Sequence, residues 1–346
     1  MKVMASKKLG FAIVGTGAIA GHHAACIDAL EECELVAVCS SSAERARAAS
    51  EKFGVPAYSD VEEMLQRPDI DVVCICTHSG AHLAPTLAAA QAGKHVICEK
   101  PLEINLERAD QMIRACRVMG VKLACIFQNR FSSDYLKLKK AVQEGRLGKL
   151  LLGNAYIKWF RDENYYRSSP WKGTIKGDGG AALINQGIHT IDLLLDIMGD
   201  VESVRAKVKT VRHDIEGEDL GLAMLSFRNG ALGAIQASTA LYPGYPERLE
   251  VFGEKGSVIL EGGHITAWNI AGEEKGGPAE EKEKDTGASD PMAISTERHQ
   301  QQFRDMIEAI REDREPAVNG EEGRRSLALI RAIYDSSATE EAVVLD

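Results

Sequence analysis

The chain has 346 residues, 45% hydrophobic and 27% charged, which is long and apolar enough to bury two separate cores. Its 51 acidic against 41 basic side chains give a net charge of −10, with no Lys/Arg cluster, which argues against nucleic acid or an anionic membrane as partner. No apolar run reaches the roughly 18 residues of a membrane span. The basic start, residues 1–8, leads into a glycine-broken strand and turn rather than a signal sequence, so a cytoplasmic protein is expected.

In chain order, strands are predicted over 9–14, 34–39, 71–77, 95–98 and 122–127, alternating with helices over 18–31, 43–53, 83–92 and 106–119. The run DVVCICT is apolar throughout, as a strand buried on both faces requires. This alternation predicts an α/β fold opening with a doubly wound parallel sheet over residues 1–127. From residue 128 the texture changes. Long strand-like runs over 151–160, 201–213, 220–227, 231–238, 248–252 and 257–260 lie near turns such as Asn229-Gly230 and Lys255-Gly256. Residues 128–346 therefore read as an α+β domain on a large, open, mostly antiparallel sheet. The stretch 271–291, rich in Gly, Glu and Lys, reads as a loop, and helices follow over 296–311 and 321–336. An open sheet face needs a cover, so a homodimer or homotetramer is expected. The eight cysteines lie largely in apolar runs without a CxxC pair and read as buried thiols; no metal site is expected.

Gly15-Thr16-Gly17-Ala18-Ile19-Ala20 is a GxGxxA pattern between a strand and a helix, the context that a dinucleotide loop demands. Gly15 permits the tight turn, Gly17 lets a pyrophosphate approach the backbone, and the helix N-terminus attracts the anion. Where an NAD enzyme usually carries an acid after the second strand, this chain has Ser40-Ser41-Ser42 with Arg45 close behind. Hydroxyls and an arginine accept a 2′-phosphate that a carboxylate would repel, so NAD(P) is expected with a lean to NADP.

With these motifs in view, the chain resembles the Gfo/Idh/MocA family of glucose–fructose oxidoreductase and inositol dehydrogenase. The likeness rests on the glycine loop, on Thr77-His78-Ser79-Gly80-Ala81-His82, on Glu99-Lys100-Pro101, and on the segment from Gly179-Gly180 to Asn185, His189 and Asp192. The tail Glu315-Pro316 to Gly323-Arg324-Arg325-Ser326 fits as well. Two positions depart from the family's usual pattern: Asn185 stands where Asp is common, and Ser40 where an acid is common. The resemblance implies hydride transfer between a nicotinamide and a hydroxyl or keto carbon of a sugar, inositol or nucleotide sugar. It adds Thr77, His82, Glu99 and Lys100 to the cofactor-binding set.

Alcohol oxidation needs a proton acceptor beside the carbon that gives up hydride. Lys100, after a strand at the ligand-binding edge of the sheet, can polarise the reacting oxygen. His189 suits proton relay near neutral pH, with Asp192 three residues on to orient it. The two are expected to converge on one hydroxyl, with His189 as base and Lys100 as electrostatic partner, or the reverse. Asn185, Tyr166, Trp171 and Arg130 are the candidate substrate-binding residues, Arg130 equally a partner in an inter-domain ion pair, and Arg161 and Tyr165 join the aromatic wall. His22-His23 reads as helix surface or cofactor edge. Two other functions stay open: a glycosidase using transient oxidation by NAD, and a dinucleotide-sensing regulator without turnover.

Overall fold

The computed structural model of the chain describes residues 7–273 and 296–345. The part of the expected 271–291 loop beyond residue 273 lies outside the described residues. Backbone contacts divide the chain into two compact units, Met1–Gln128 with Thr296–Arg324, and Asn129–Ser295 with Arg325–Asp346. The first unit is thus not the simple N-terminal block 1–127: a helix near the C-terminus returns to it.

In the first unit, β1 (Leu9–Val14), β2 (Cys33–Cys39), β3 (Ala57–Tyr58), β4 (Val72–Ile75), β5 (His95–Cys98) and β6 (Leu123–Cys125) form a parallel sheet. Their order is β3-β2-β1-β4-β5-β6, with the reversal beside β1 that marks a nucleotide-binding sheet. Helices Ala18–Asp28, Ala43–Phe53, Leu83–Gln91 and Leu106–Met119 supply the crossovers. Ser42 and Asn105 cap two of them by accepting the N–H of Arg45 and Arg108. Phe11, Ile13, Val72, Cys74 and Ile97 are fully buried, as a strand layer covered on both faces requires.

The returning helix Thr296–Glu312 places Phe303, Met306 and Ile307 in that same core, with Phe303 stacked 5.9 Å from Phe11. Its buried Gln302 finishes the sheet edge: Oε1 accepts from Phe127 N at 3.1 Å and Nε2 donates to Cys125 O at 2.7 Å. An amide side chain here satisfies backbone groups that edge strand β6 would leave unpaired.

The second unit is built on an eight-stranded sheet. Its strands are β7 (Leu150–Lys158), β8 (Val201–Lys209), β9 (Leu220–Phe227), β10 (Leu232–Ser238), β11 (Arg248–Gly253), β12 (Gly256–Glu261), β13 (His264–Ile270) and β14 (Val343–Val344). The order is β13-β12-β11-β7-β10-β9-β8-β14; only β7 and β10 run parallel. The strand expected to reach His213 stops at Lys209, because Asp219 accepts the N–H of Val211, Arg212 and His213 and bends the chain away. The helices Ser133–Gln143 and Ile188–Met198 belong to this unit, and the latter covers β7 so closely that Gly153 meets Met198 where a Cβ would stand.

The opposite sheet face is open. In β9, Ala223 and Leu225 are buried while Leu222 and Met224 are 49% and 65% exposed. Leu232 on β10 is 59% exposed. No helix among the described residues is long and apolar enough to cross a membrane.

Candidate active site

The turn after β1 is built for an anion. Gly15 sits at φ +94°, and a Cβ there would strike Cys76 and Thr77 backbone at 2.6–2.7 Å. Nothing stands within 4 Å of where a Gly17 Cβ would be, so the backbone there is open to a ligand. The helix Ala18–Asp28 begins without a side-chain cap and without an acid in its first turn. Its first N–H groups, including those of Ala18 and Ile19, form an anion-binding end that suits a pyrophosphate. Thr16 Oγ1 and the buried Ser40 hydroxyl meet at 3.0 Å, tying this loop to the end of β2. Ser41 is exposed, and the Arg45 guanidinium reaches its hydroxyl at 3.3 Å.

Three residues expected at the cofactor have mainly internal bonds. His82 is 1% exposed; its ring bonds the carbonyls of Pro101, Leu102 and Thr77, and burial lowers its pKa. Thr77 donates to Ala81 O. Glu99 is buried, with one oxygen 2.8 Å from His23 Nε2 and the other accepting from Lys100 N at 3.1 Å. Burial pushes its carboxyl up, but the His23 bond and charge outweigh that and hold it down to about 2. These side chains brace the ends of β4 and β5. The surface reading of His23 is corrected too: it is fully buried under Glu99, because an imidazole satisfies that carboxylate. Lys100 is half-buried and precedes a cis Pro101.

In the second unit, the segment leading to His189 is not one continuous α-helix. Ala182–Gly187 is a π-helical turn, followed by the α-helix Ile188–Met198. Glu218 sets it. Its carboxyl accepts the N–H of Ala181 at 3.1 Å and of Leu183 at 2.7 Å, its backbone oxygen accepts that of Ala182 at 2.9 Å, and the Tyr334 hydroxyl donates to it at 3.0 Å. Gly180, at φ +149°, has no room for a Cβ, which would lie 2.3 Å from the Tyr334 oxygen. Burial raises the Glu218 pKa to about 7 against the lowering effect of those bonds.

The π turn displays Asn185 and Gln186. Asn185 Nδ2 donates to buried Asp178, whose other oxygen accepts from Gly173 N at 3.1 Å. Gln186 Nε2 donates to Asn185 Oδ1 at 2.9 Å and to the Tyr165 hydroxyl at 2.7 Å, and its oxygen accepts from Arg161 at 2.9 Å. His189 is half-buried at the start of the α-helix. Asp192 is engaged elsewhere: Arg130 holds both its oxygens at 2.7 and 2.8 Å, and Ser326 donates to it at 3.0 Å. Arg130 also reaches Asp196 at 3.2 Å. Arg130 therefore anchors the helix under His189, and its ion pair lies within the second unit instead of between the two domains. Tyr166 likewise belongs to the core, with its hydroxyl on Thr239 and its ring 4.8 Å from buried His213. Trp171 is half-buried and opens the turn that Thr174 caps. Asp178, Gln186 and Glu218 carried no local sequence signal beyond Gln186 adjoining Asn185. Among the described residues, no group of His, Cys, Asp and Glu side chains is arranged for a metal ion.

A model of the oxidoreductase family with an NAD-binding Rossmann fold matches residues 9–127, and the Gfo/Idh/MocA C-terminal domain matches 135–259. The myo-inositol 2-dehydrogenase of Thermotoga maritima is 31% identical over 96% of this chain and 98% of its own. The D-glucoside 3-dehydrogenase of Escherichia coli is 32% identical over 69% and 72%. The crystal structure of the WlbA dehydrogenase from Bordetella pertussis, in complex with NADH and UDP-GlcNAcA, superposes with a TM-score of 0.87 at 33% identity, covering 98% of this chain and 99% of that one.

The raised Glu218 pKa has a stability consequence. Between its unfolded value near 4.5 and about 7, the folded state holds a proton that the unfolded state has released. The contribution is fully present below the unfolded value and is lost as pH rises through about 7. Urea unfolding of wild type and Glu218→Gln across pH 5–8 is expected to show the difference: the wild type loses more stability over this range than the variant. Parallel curves would contradict this assignment.

Proposed function

The chain belongs to the Gfo/Idh/MocA oxidoreductase family, and from that premise we propose how its residues carry out nicotinamide-dependent oxidation or reduction at a CH–OH carbon of a polyhydroxylated substrate. The observation that carries the reading is the uncapped helix start behind Gly15 and Gly17, at the carboxyl edge of a β3-β2-β1-β4-β5-β6 sheet. When bound, the nicotinamide supplies the hydride acceptor or donor. Gly15, Thr16, Gly17, Ala18 and Ile19 hold its pyrophosphate, while Ser40 and Ser41 bond the adenosine ribose. Arg45, already aimed at Ser41, gives a 2′-phosphate a charged partner, so NADP binds at least as well as NAD.

Lys100 and His189 are the proton-handling groups. The Lys100 ammonium polarises the substrate oxygen, and His189 accepts its proton during oxidation. Glu99, fixed by His23, holds the backbone at Lys100; Arg130 fixes the helix that carries His189 in its first turn, through Asp192. Asn185 and Gln186 form the polar edge of the π turn next to His189, with Trp171 and Tyr165 as wall residues. Buried cysteine thiols throughout the first unit suit a cytoplasmic enzyme.

The open sheet face is a homodimer interface. It is apolar at Leu222, Met224 and Leu232 and carries both signs, with Arg205, Lys207 and Glu340, so a twofold-related copy can match it. Light scattering is expected to give twice the chain mass, and Met224→Glu to reduce it to one chain with unchanged circular dichroism. A wild type that stays single-chain at micromolar concentration would overturn the dimer.

Two kinetic tests address the chemistry. Lys100→Ala and His189→Ala are each expected to cut turnover by about 10²-fold or more, with much smaller changes in cofactor affinity. Full activity in either variant removes that residue from the mechanism. For the cofactor, fluorescence titration is expected to show Arg45→Ala weakening NADP but not NAD. NAD binding at least about tenfold tighter than NADP in the wild type would refute the 2′-phosphate assignment.

A further inference from the structure

The polar network around the π turn contains a cation whose direct partners are neutral. Lys172 follows Trp171 and is half-buried. Its ammonium donates to the Ser168 hydroxyl at 2.9 Å and lies 4.0 Å from the centre of the Tyr165 ring. Both partners are neutral, and among the described residues no carboxylate lies within ion-pair distance of it. The neighbouring acid, Asp178, accepts from Gly173 N and Asn185 Nδ2 and serves the turn. Burial lowers the Lys172 pKa, with the Arg161 charge adding to the lowering, and together they outweigh the raising effect of the Asp178 carboxylate.

Tyr165 places this cation beside the candidate substrate residues. Its hydroxyl accepts from Gln186, which bonds Asn185 in turn, four residues before His189. The Arg161 guanidinium lies 5.4 Å from the centre of the same ring and donates to Gln186. One aromatic wall thus carries two cations.

We propose that Lys172 is a specificity-determining residue that reads a negative charge on the substrate, either the carboxylate of a sugar acid or the diphosphate of a nucleotide sugar. An anion of this kind gives the ammonium a direct ionic partner beside the neutral Ser168 and Tyr165, through a charge-assisted hydrogen bond in a partly desolvated setting. The inference rests on the dehydrogenase reading for its site, but not on which residue accepts the proton.

The test compares wild type, Lys172→Met and Lys172→Arg on four probes: glucose, glucuronate, UDP-N-acetylglucosamine and its uronate. Reduced nicotinamide reports turnover, and calorimetric titration in the presence of NADH reports binding without turnover. The wild type is expected to favour charged probes over glucose. Lys172→Met should lower that preference by at least about tenfold, and Lys172→Arg should restore part of it at unchanged thermal stability. Loss confined to glucuronate and the uronate assigns the charge to a carboxylate; loss with both nucleotide sugars and not glucuronate assigns it to the diphosphate. Equal loss on all four probes, or a wild type that favours glucose, overturns the inference while leaving the dehydrogenase intact. Charge-dependent binding that needs Lys172, with no turnover of any probe, supports the inference and instead counts against the dehydrogenase reading.

Discussion

Three consecutive backbone N–H groups, at Ala181, Ala182 and Leu183, are all satisfied by one residue, Glu218. The second unit's candidate site depends on that arrangement. A helix start buried without partners would forfeit several hydrogen bonds. With Glu218 in place, the chain can enter a π turn directly from the Gly179-Gly180 corner, and the turn's extra residue presents both Asn185 and Gln186 before the regular helix begins at Ile188. π turns inside helices recur at functional positions because they change the angular register of side chains without ending the helix. The Arg130–Asp192 pair then fixes the helix one turn below His189. Such a buried pair is weak evidence for net stability but a strong constraint on placement.

The first unit solves a different problem. An anion has to reach backbone N–H groups at the end of a buried parallel strand, so the glycine loop must be tight at Gly15 and bare at Gly17. The residues around it are mutually braced: Thr16 on Ser40, Glu99 on His23, and His82 on the carbonyls after β5. Rigid elements hold ligand groups more accurately than loops alone. The helix Thr296–Glu312 extends the bracing, since Phe303 lies against both Phe11 and His23.

Much of this was legible in the sequence. Continuous apolar runs such as DVVCICT and the GxGxxA turn carry their physics locally, so the parallel sheet and its anion-binding turn could be read directly. The broad second sheet followed from its alternating strands, although the weakly patterned β13 and the two-residue β14 lay outside the expected runs, as did the two-residue β3 of the first sheet. Residue roles were harder to read. Arg130, Tyr166, Glu99 and His82 look functional by residue type, yet their hydrogen bonds brace the fold. Each has a partner 19 to 76 residues away, as with His82 to Pro101, Arg130 to Asp192, Tyr166 to Thr239 and His23 to Glu99. Glu218 lies 37 and 35 residues from the backbone it caps, and no spacing rule could have found it. The return of 296–324 to the first unit was invisible for the same reason: an amphipathic helix shows that it has a buried face, not which core buries it.

The most direct test of the account is the fate of one hydrogen. With an inositol or sugar deuterated at the carbinol carbons, the account predicts deuterium at C4 of the nicotinamide, in amount equal to the ketone formed. Deuterium released to water, or product formed while the cofactor stays fully oxidised, would contradict it.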